Sequence, residues 1–488
     1  MSSPLRVLYA TSEYAPLVKT GGLGDVAGAL PAALRDLGID CRVVMPAYRG
    51  VKQRVDTHAT STAVEPLARM PATQLVEAVF PGAVPGWLVD SPTLYDRDGG
   101  PYVSASGRDW DDNALRFGLL SRVAAWLGQR HGTPWRADVV HVNDWQTGLA
   151  PAYCALRGTE RTPSVITVHN LAFQGVFGAQ WVEDLGLPPS SFTVEGVEYY
   201  GQLSFLKAGL YYADAITTVS PTYAEEIQRE PGGMGLQGLL AHRRGALTGI
   251  LNGIDTVAWD PRTDRHIVRP YDAAHLDAKA ASKRALQAEV GLTLDDGAFL
   301  LGVVARLTAQ KGIDLVADVA PSIGQSRSQL VMLGTGDPAL EQRVRDLQQR
   351  HPGRIAAIIG FDERMAHRIE AGADAFLMPS RFEPSGLNQM YSQRYGTPPI
   401  VHATGGLADS VVDCTAATLA TGTATGFTFR EPSAAALLAA IERARTTWAD
   451  ASTWRRIQRS GMARDFGWRR AAGAYADVYR RVAGPVPA

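Results

Sequence analysis

Arg306 and Lys311 share one short segment, Ala305-Arg306-Leu307-Thr308-Ala309-Gln310-Lys311-Gly312, directly after the apolar run Phe299–Val304. Two cations in such a loop can neutralise a diphosphate, the arginine through a fork of donors and the lysine as a point charge. Lys19 heads a second candidate, Lys19-Thr20-Gly21-Gly22-Leu23, whose core recurs as Thr404-Gly405-Gly406-Leu407. Paired glycines admit a ligand close to the backbone, and the N-terminus of a following helix offers N–H groups with partial positive charge. Glu383, in Pro379-Ser380-Arg381-Phe382-Glu383-Pro384, stands where it could accept hydrogen bonds from sugar hydroxyls or favour the start of a helix near Leu387. His169 and Asp144 each follow an apolar run and are open to two readings, a substrate contact or a structural hydrogen bond.

The elements that must position these groups read as repeated βαβ units. Apolar, β-branched runs at Arg6–Ala10, Cys41–Met45, Val139–Val142, Val165–Val168 and Ala215–Val219 occupy the first half. Phe299–Val304, Leu330–Leu333, Ile355–Ile359, Ala375–Met378 and Ile400–Val401 occupy the second. Each is followed by a glycine-containing or polar turn and a helix-period stretch, the pattern of a parallel sheet. Two doubly wound sheets are predicted, with a hinge at Leu251-Asn252-Gly253-Ile254-Asp255. The unusual residues fall at the carboxyl ends of strands, where open α/β sheets bind ligands; two sheets face to face would gather them around one cleft. Residues 50–110, rich in Pro, Gly and Asp, break the rhythm and read as an insertion of hairpins and loops. Ala451–Met462 and Arg469–Val482 have helical spacing, with Trp454, Ile457, Phe466, Trp468, Tyr475 and Tyr479 as packing residues.

Composition narrows the function classes. The 488 residues carry 48 Lys and Arg against 49 Asp and Glu, a net charge of -1, which gives no footprint for nucleic acid or an anionic membrane. Cys41, Cys154 and Cys414 are too far apart for a disulfide scaffold or a zinc site. No stretch reads as a secretory leader or a membrane span, so a cytoplasmic protein is expected. Two glycine patterns compete with the phosphate reading. Gly233-Met234-Gly235-Leu236-Gln237-Gly238 lacks a preceding strand, whereas Gly334-Thr335-Gly336-Asp337-Pro338-Ala339 follows Leu330–Leu333 and opens a helix, which keeps an NAD(P)-dependent oxidoreductase as a rival. Asp96-Arg97-Asp98 has the form of a metal-binding Asp-x-Asp element but sits in the irregular segment, and no metal ligand is expected there.

The ordered set Lys19–Leu23, Asp144-Trp145, His169–Gly175, Leu203–Gly209, Leu251–Asp255, Arg306–Thr308 with Gln310–Gly312, Ser380–Pro384 and Thr404–Asp409 resembles the bacterial glycogen synthases over essentially the whole chain. These are ADP-glucose-dependent members of the glycogen/starch synthase family of retaining glycosyltransferases. The resemblance implies a GT-B architecture of two Rossmann-like domains, 1–248 plus 470–488 on the acceptor side and 249–469 for ADP-glucose, the last helix crossing back to the first domain. It implies glucose transfer to the non-reducing 4-hydroxyl of an α-1,4-glucan with no metal or other cofactor. Arg306 and Lys311 would hold the diphosphate, Gly405-Gly406 with Thr404 would cradle it, and Lys19 and Gly22 would close on the nucleotide. Glu383 and His169 would bind glucose hydroxyls, Asn252 would lie near the sugar, Asp144 toward the acceptor and Phe361 against adenine. Ser385 and Phe361 stand where many relatives have cysteine and tyrosine. A non-catalytic glucan-binding protein is the third reading.

Overall fold

The computed structural model describes residues 4–129, 133–157 and 161–484. The chain divides into two compact units: one runs to Gly253 and regains the chain at Trp468, and the other is Ile254–Gly467.

The first unit is built on a nine-stranded sheet in the order Leu247–Gly249, Ala215–Thr218, Ser164–Val168, Val139–Asn143, Arg6–Ala10, Asp40–Pro46, Val84–Asp90, Thr73–Phe80, Asp56–Val64. The first seven run parallel, and the last two return antiparallel. Val139–Asn143 and Ser164–Val168 are buried at every position, as strands covered on both faces must be, which is why they read as unbroken apolar runs rather than alternating ones. The helix Gly22–Asp36 buries Leu23, Val26, Ala27, Leu30 and Leu34 along one stripe. It stops where Gly38 turns left-handed (φ 83°) and the Ile39 N–H donates to the Leu34 carbonyl. The C-terminal helix, Trp468–Ala483, packs on Gly22–Asp36 and buries Tyr475 and Tyr479 in this unit. Tyr479 meets the buried His141 Nδ1 through its hydroxyl at 2.7 Å, and His141 Nε2 lies 2.6 Å from the Thr167 hydroxyl.

Residues 50–110 do form hairpins, but they are not an insertion beside the sheet. Val84–Asp90 is a full parallel partner of Asp40–Pro46 and carries two antiparallel strands outward. Pro85 and Gly86 disguise it; the glycine is required because a Cβ there would come 2.1 Å from the Val43 carbonyl oxygen. Arg116, 1% exposed, donates to the carbonyls of Leu94 and Pro101 and to Asn113 Oδ1, holding down the loop that carries Tyr102.

The second unit holds a six-stranded parallel sheet ordered Ile355–Ile359, Ser328–Gly334, Phe299–Val304, Ala375–Met378, Pro399–His402, Phe427–Phe429. Helix Ala451–Met462 packs Trp454 and Ile457 into its core. In each sheet a central strand has its chain successor on one side and a much later strand on the other. In the first unit Arg6–Ala10 lies between Asp40–Pro46 and Val139–Asn143; in the second Phe299–Val304 lies between Ser328–Gly334 and Ala375–Met378. Beyond the carboxyl ends of such a switch point the connecting loops diverge and leave a crevice. No described helix is long and apolar enough to cross a membrane.

Candidate functional site

At the switch point of the second unit, the loop after Phe299–Val304 meets the loop after Ala375–Met378. Lys311 Nζ lies 2.6 Å from Glu383 Oε2, with the two side chains 19% and 7% exposed. The Ser380 hydroxyl donates to the same oxygen at 3.0 Å, so Oε1 has no hydrogen-bond partner among the described residues. Arg381 sets the approach: its guanidinium grips both oxygens of Asp314 at 2.6 and 2.7 Å and donates to the Ala309 carbonyl, while its N–H donates to Gln310 O. That grip holds the Asp314 carboxyl below its ordinary range. Gly312, at φ 67°, permits the crossing, since a Cβ would sit 2.1 Å from the Pro379 carbonyl oxygen. Arg306 is exposed and makes no ion pair among the described residues. Phe361, 83% exposed, stands just beyond the edge strand Ile355–Ile359 and before a helix capped by Asp362.

The two Thr-Gly-Gly-Leu turns, alike in sequence, differ in physical cause. At Gly405 (φ 45°) and Gly406 a Cβ would come 2.1 and 2.0 Å from the carbonyl oxygens of Glu383 and Ser385. The Gly406 N–H donates to the carbonyls of Glu383 and Pro384, and the helix it opens, Gly405–Ser410, is short. These glycines, with the buried Thr404, pack tightly against the Glu383 loop and hold it in place. At Gly21 and Gly22 a Cβ would meet nothing within 4 Å, yet they start a helix of 15 residues with no side-chain cap. Gly406→Ala should therefore lower Tm by several degrees through overpacking. Gly22→Ala should leave Tm almost unchanged; paired melts check both.

The first unit gathers a second cluster at its own switch point. Glu13, 3% exposed, accepts from the Thr20 N–H (2.6 Å), the Gly21 N–H (3.2 Å), and the hydroxyls of Thr20 and Tyr102 (both 2.5 Å). It shapes the turn in which Lys19 Nζ reaches Asp25 at 2.7 Å. Asp144 follows Val139–Asn143 in a backbone conformation, φ 54° and ψ -167°, that is almost confined to glycine. Its Oδ1 accepts the N–H of His169 at 2.7 Å and of Asn170 at 3.4 Å. Desolvation raises its carboxyl to about 7 against those hydrogen bonds. His169 Nε2 lies 2.9 Å from Asn143 Oδ1, which also accepts the Tyr9 hydroxyl, while the Asn143 amide donates to the Ala10 carbonyl. The network makes Nε2 the protonated nitrogen and leaves Nδ1 an acceptor. Desolvation holds the imidazole neutral, at about 3. Asn252 is buried near the end of this unit.

Glu13 and Tyr102 are absent from the sequence-derived candidates, and Asn143 stands there only as the neighbour of Asp144 after its strand. Glu13 had a signal, a lone carboxylate just after the first strand; Tyr102, deep in the irregular segment, had none.

The dinucleotide alternative fails on geometry. Gly334 and Gly336 are packing glycines, with a Cβ 1.9 Å from Ala305 O and 2.5 Å from Leu307 O. Glu341 accepts the Gly336 N–H and the Thr335 hydroxyl, and Asp337 caps Ala339 and Leu340. The chain's own carboxylates thus occupy the place a pyrophosphate would need. Asp96 and Asp98 both pair with Arg49, and no metal-type cluster of His, Cys, Asp and Glu occurs among the described residues.

Residues 6–242 match the family model described as "Starch synthase catalytic domain", and residues 288–459 match "Glycosyl transferases group 1". The catalytic domain of starch synthase IV from Arabidopsis thaliana, solved with ADP and acarbose, superposes with a TM-score of 0.87 at 30% identity, covering 99% of this chain and 100% of that one. Sucrose-phosphate synthase from Thermosynechococcus elongatus, at 18% identity and a TM-score of 0.60, shares the fold. Two doubly wound sheets with this switch-point chemistry make the chain a glycosyltransferase of the GT-B class. The glycogen synthase of Aromatoleum aromaticum is 57% identical over 97% of this chain and 96% of its own length, and that of Dechloromonas aromatica 55% identical over 98% of both. The chain belongs to the glycogen synthase family, hexosyltransferases that act on nucleotide-sugar and glucan substrates.

Proposed function

We propose that this enzyme transfers glucose from ADP-glucose to the non-reducing 4-hydroxyl of an α-1,4-glucan with retention of configuration, and needs no metal to do so. The observation that carries the reading is the Lys311–Glu383 contact at 2.6 Å at the switch point of the second unit, in the loop that also carries the exposed Arg306. Arg306 and Lys311 meet the charge that grows on the departing ADP, already oriented before reaction, which is where such groups act most strongly. Glu383 Oε1 accepts from glucose hydroxyls, and the exposed Phe361 ring stacks on adenine, which has a face but asks for no hydroxyl partner. Lys19, Gly22 and Asn252 are further donor-binding residues in this reading. His169 Nδ1 accepts from a glucose hydroxyl, and Asp144 faces the acceptor. ADP and acarbose bound to starch synthase IV support a nucleotide diphosphate and an oligosaccharide as the two ligand types. A cytoplasmic setting fits the three buried thiols.

Labelled glucose should enter glycogen from ADP-glucose and not from UDP-glucose, at a rate unchanged by a chelator. Incorporation from UDP-glucose alone, or its loss with the chelator, overturns the corresponding part. In a thermal-shift screen, stabilisation by NAD but not ADP would return the oxidoreductase reading.

A further inference from the structure

Large hydrophobic side chains are exposed at eight described positions, and four of them, Phe173, Val176, Val194 and Tyr200, fall in one short stretch of the first unit. Phe173 is 52% exposed in the loop that leaves His169, and Tyr200 is 78% exposed. Two hydrogen bonds put their loops together. Gln174, next to Phe173, donates its side-chain amide to Met234 O at 2.9 Å, and Tyr199, next to Tyr200, donates its hydroxyl to that same oxygen at 3.1 Å.

Tyr200 is costly where it stands. It and Gly201 form the two-residue turn between Glu198–Tyr199 and Gln202–Ser204, both with positive φ, 47° and 76°. Such a turn selects Asn, Asp or Gly at its first position, and a bulky aromatic there is strained. The ring recovers little of that cost by packing, since most of it faces solvent; its edge contact with Tyr199, at 4.7 Å, is the one ring contact it makes among the described residues. A strained, exposed aromatic whose loop is tied to the one leaving His169 points to something that binds it.

We propose that Tyr200 and Phe173 form an aromatic rail for the α-glucan acceptor, along the first unit outward from His169. This rests on the glucosyltransferase reading above. A glucan suits the rail because each glucose ring offers an apolar C–H face to an aromatic ring and hydroxyls to its polar edge. Glu198, two residues before Tyr200, accepts the Gly201 N–H at 2.6 Å, and no cation lies within the turn Glu198–Gly201, whose exposed face is aromatic.

The test uses the full-length chain and Tyr200→Asn, which suits the turn better and should fold at least as well, together with Phe173→Ala. Each variant should raise KM for glycogen about tenfold, a hot-spot-sized effect, while KM for ADP-glucose stays put. Retardation in glycogen-containing native gels should weaken in parallel. Wild-type KM and retardation in Tyr200→Asn, with glucose transfer intact, would overturn the rail and leave the enzyme reading standing. A wild-type chain that neither transfers glucose nor is retarded by glycogen sinks both. Loss of a concentration-dependent dimer in Tyr200→Asn, with glycogen affinity unchanged, would give the patch to a second copy instead.

Discussion

Lys311→Ala should lower the kcat of glucose transfer by two to three orders of magnitude, roughly 2.7–4 kcal/mol, the range seen when a preorganised charge stabiliser is removed. The difficulty is that Lys311 also neutralises Glu383, which is 7% exposed. Removing the lysine leaves a nearly buried carboxylate with Ser380 alone, which should cost about 1–3 kcal/mol of stability. Lys311→Ala/Glu383→Gln separates the two effects, because glutamine keeps an acceptor oxygen and removes the unpaired charge. We expect the double variant to recover much of the lost Tm and none of the lost kcat. Recovery of kcat along with Tm would reduce Lys311 to a counter-ion of Glu383 and remove it from phosphate chemistry. The coupling between the two positions, read from the full cycle, is then a direct measure of how far they act as a unit.

The second unit was readable for a simple reason. Each of its chemical residues lies within several positions of a strand end, so strand recognition and the switch-point rule suffice to bring Lys311 and Glu383 together, with Arg306 in the same loop as Lys311. What could not be read was how the loops interlock. Arg381 looks like one more surface cation until its grip on Asp314 is seen, and the two Thr-Gly-Gly-Leu turns look equivalent until a Cβ is placed on each. Spacing reports that a glycine is present; only the neighbouring backbone reports whether it makes room for the protein or for a ligand. The first unit was harder because its cluster is assembled from distant pieces. Glu13 depends on Tyr102, which arrives through a segment whose proline and glycine hide a sheet strand. Leu247–Gly249 and Phe427–Phe429 escaped notice because three residues carry no period.

Asp144→Asn should make the protein more stable and the enzyme much worse. Below about pH 4 the aspartic acid is protonated in both folded and unfolded chains, so its contribution to stability is fully present. As pH rises from 3.8 toward 7 the unfolded chain releases this proton while the folded one, its carboxyl raised to about 7, keeps it. Stability is therefore lost through that interval and stays low above it, by up to about 4 kcal/mol on three pKa units. Asparagine keeps the oxygen that accepts the His169 and Asn170 N–H groups and has nothing to ionise. The variant should match wild type at pH 4 and gain several degrees of Tm at pH 8. Turnover should fall by about a hundredfold or more, because a carboxylate that titrates near neutrality is suited to holding the proton of an acceptor hydroxyl. Wild type is expected to show a kcat/KM limb near pH 7 that the variant lacks. Wild-type turnover and an unchanged profile would confine Asp144 to pinning the backbone of His169. Strain at φ 54° and a desolvated charge, both retained at one position, are what a site pays when it needs that group.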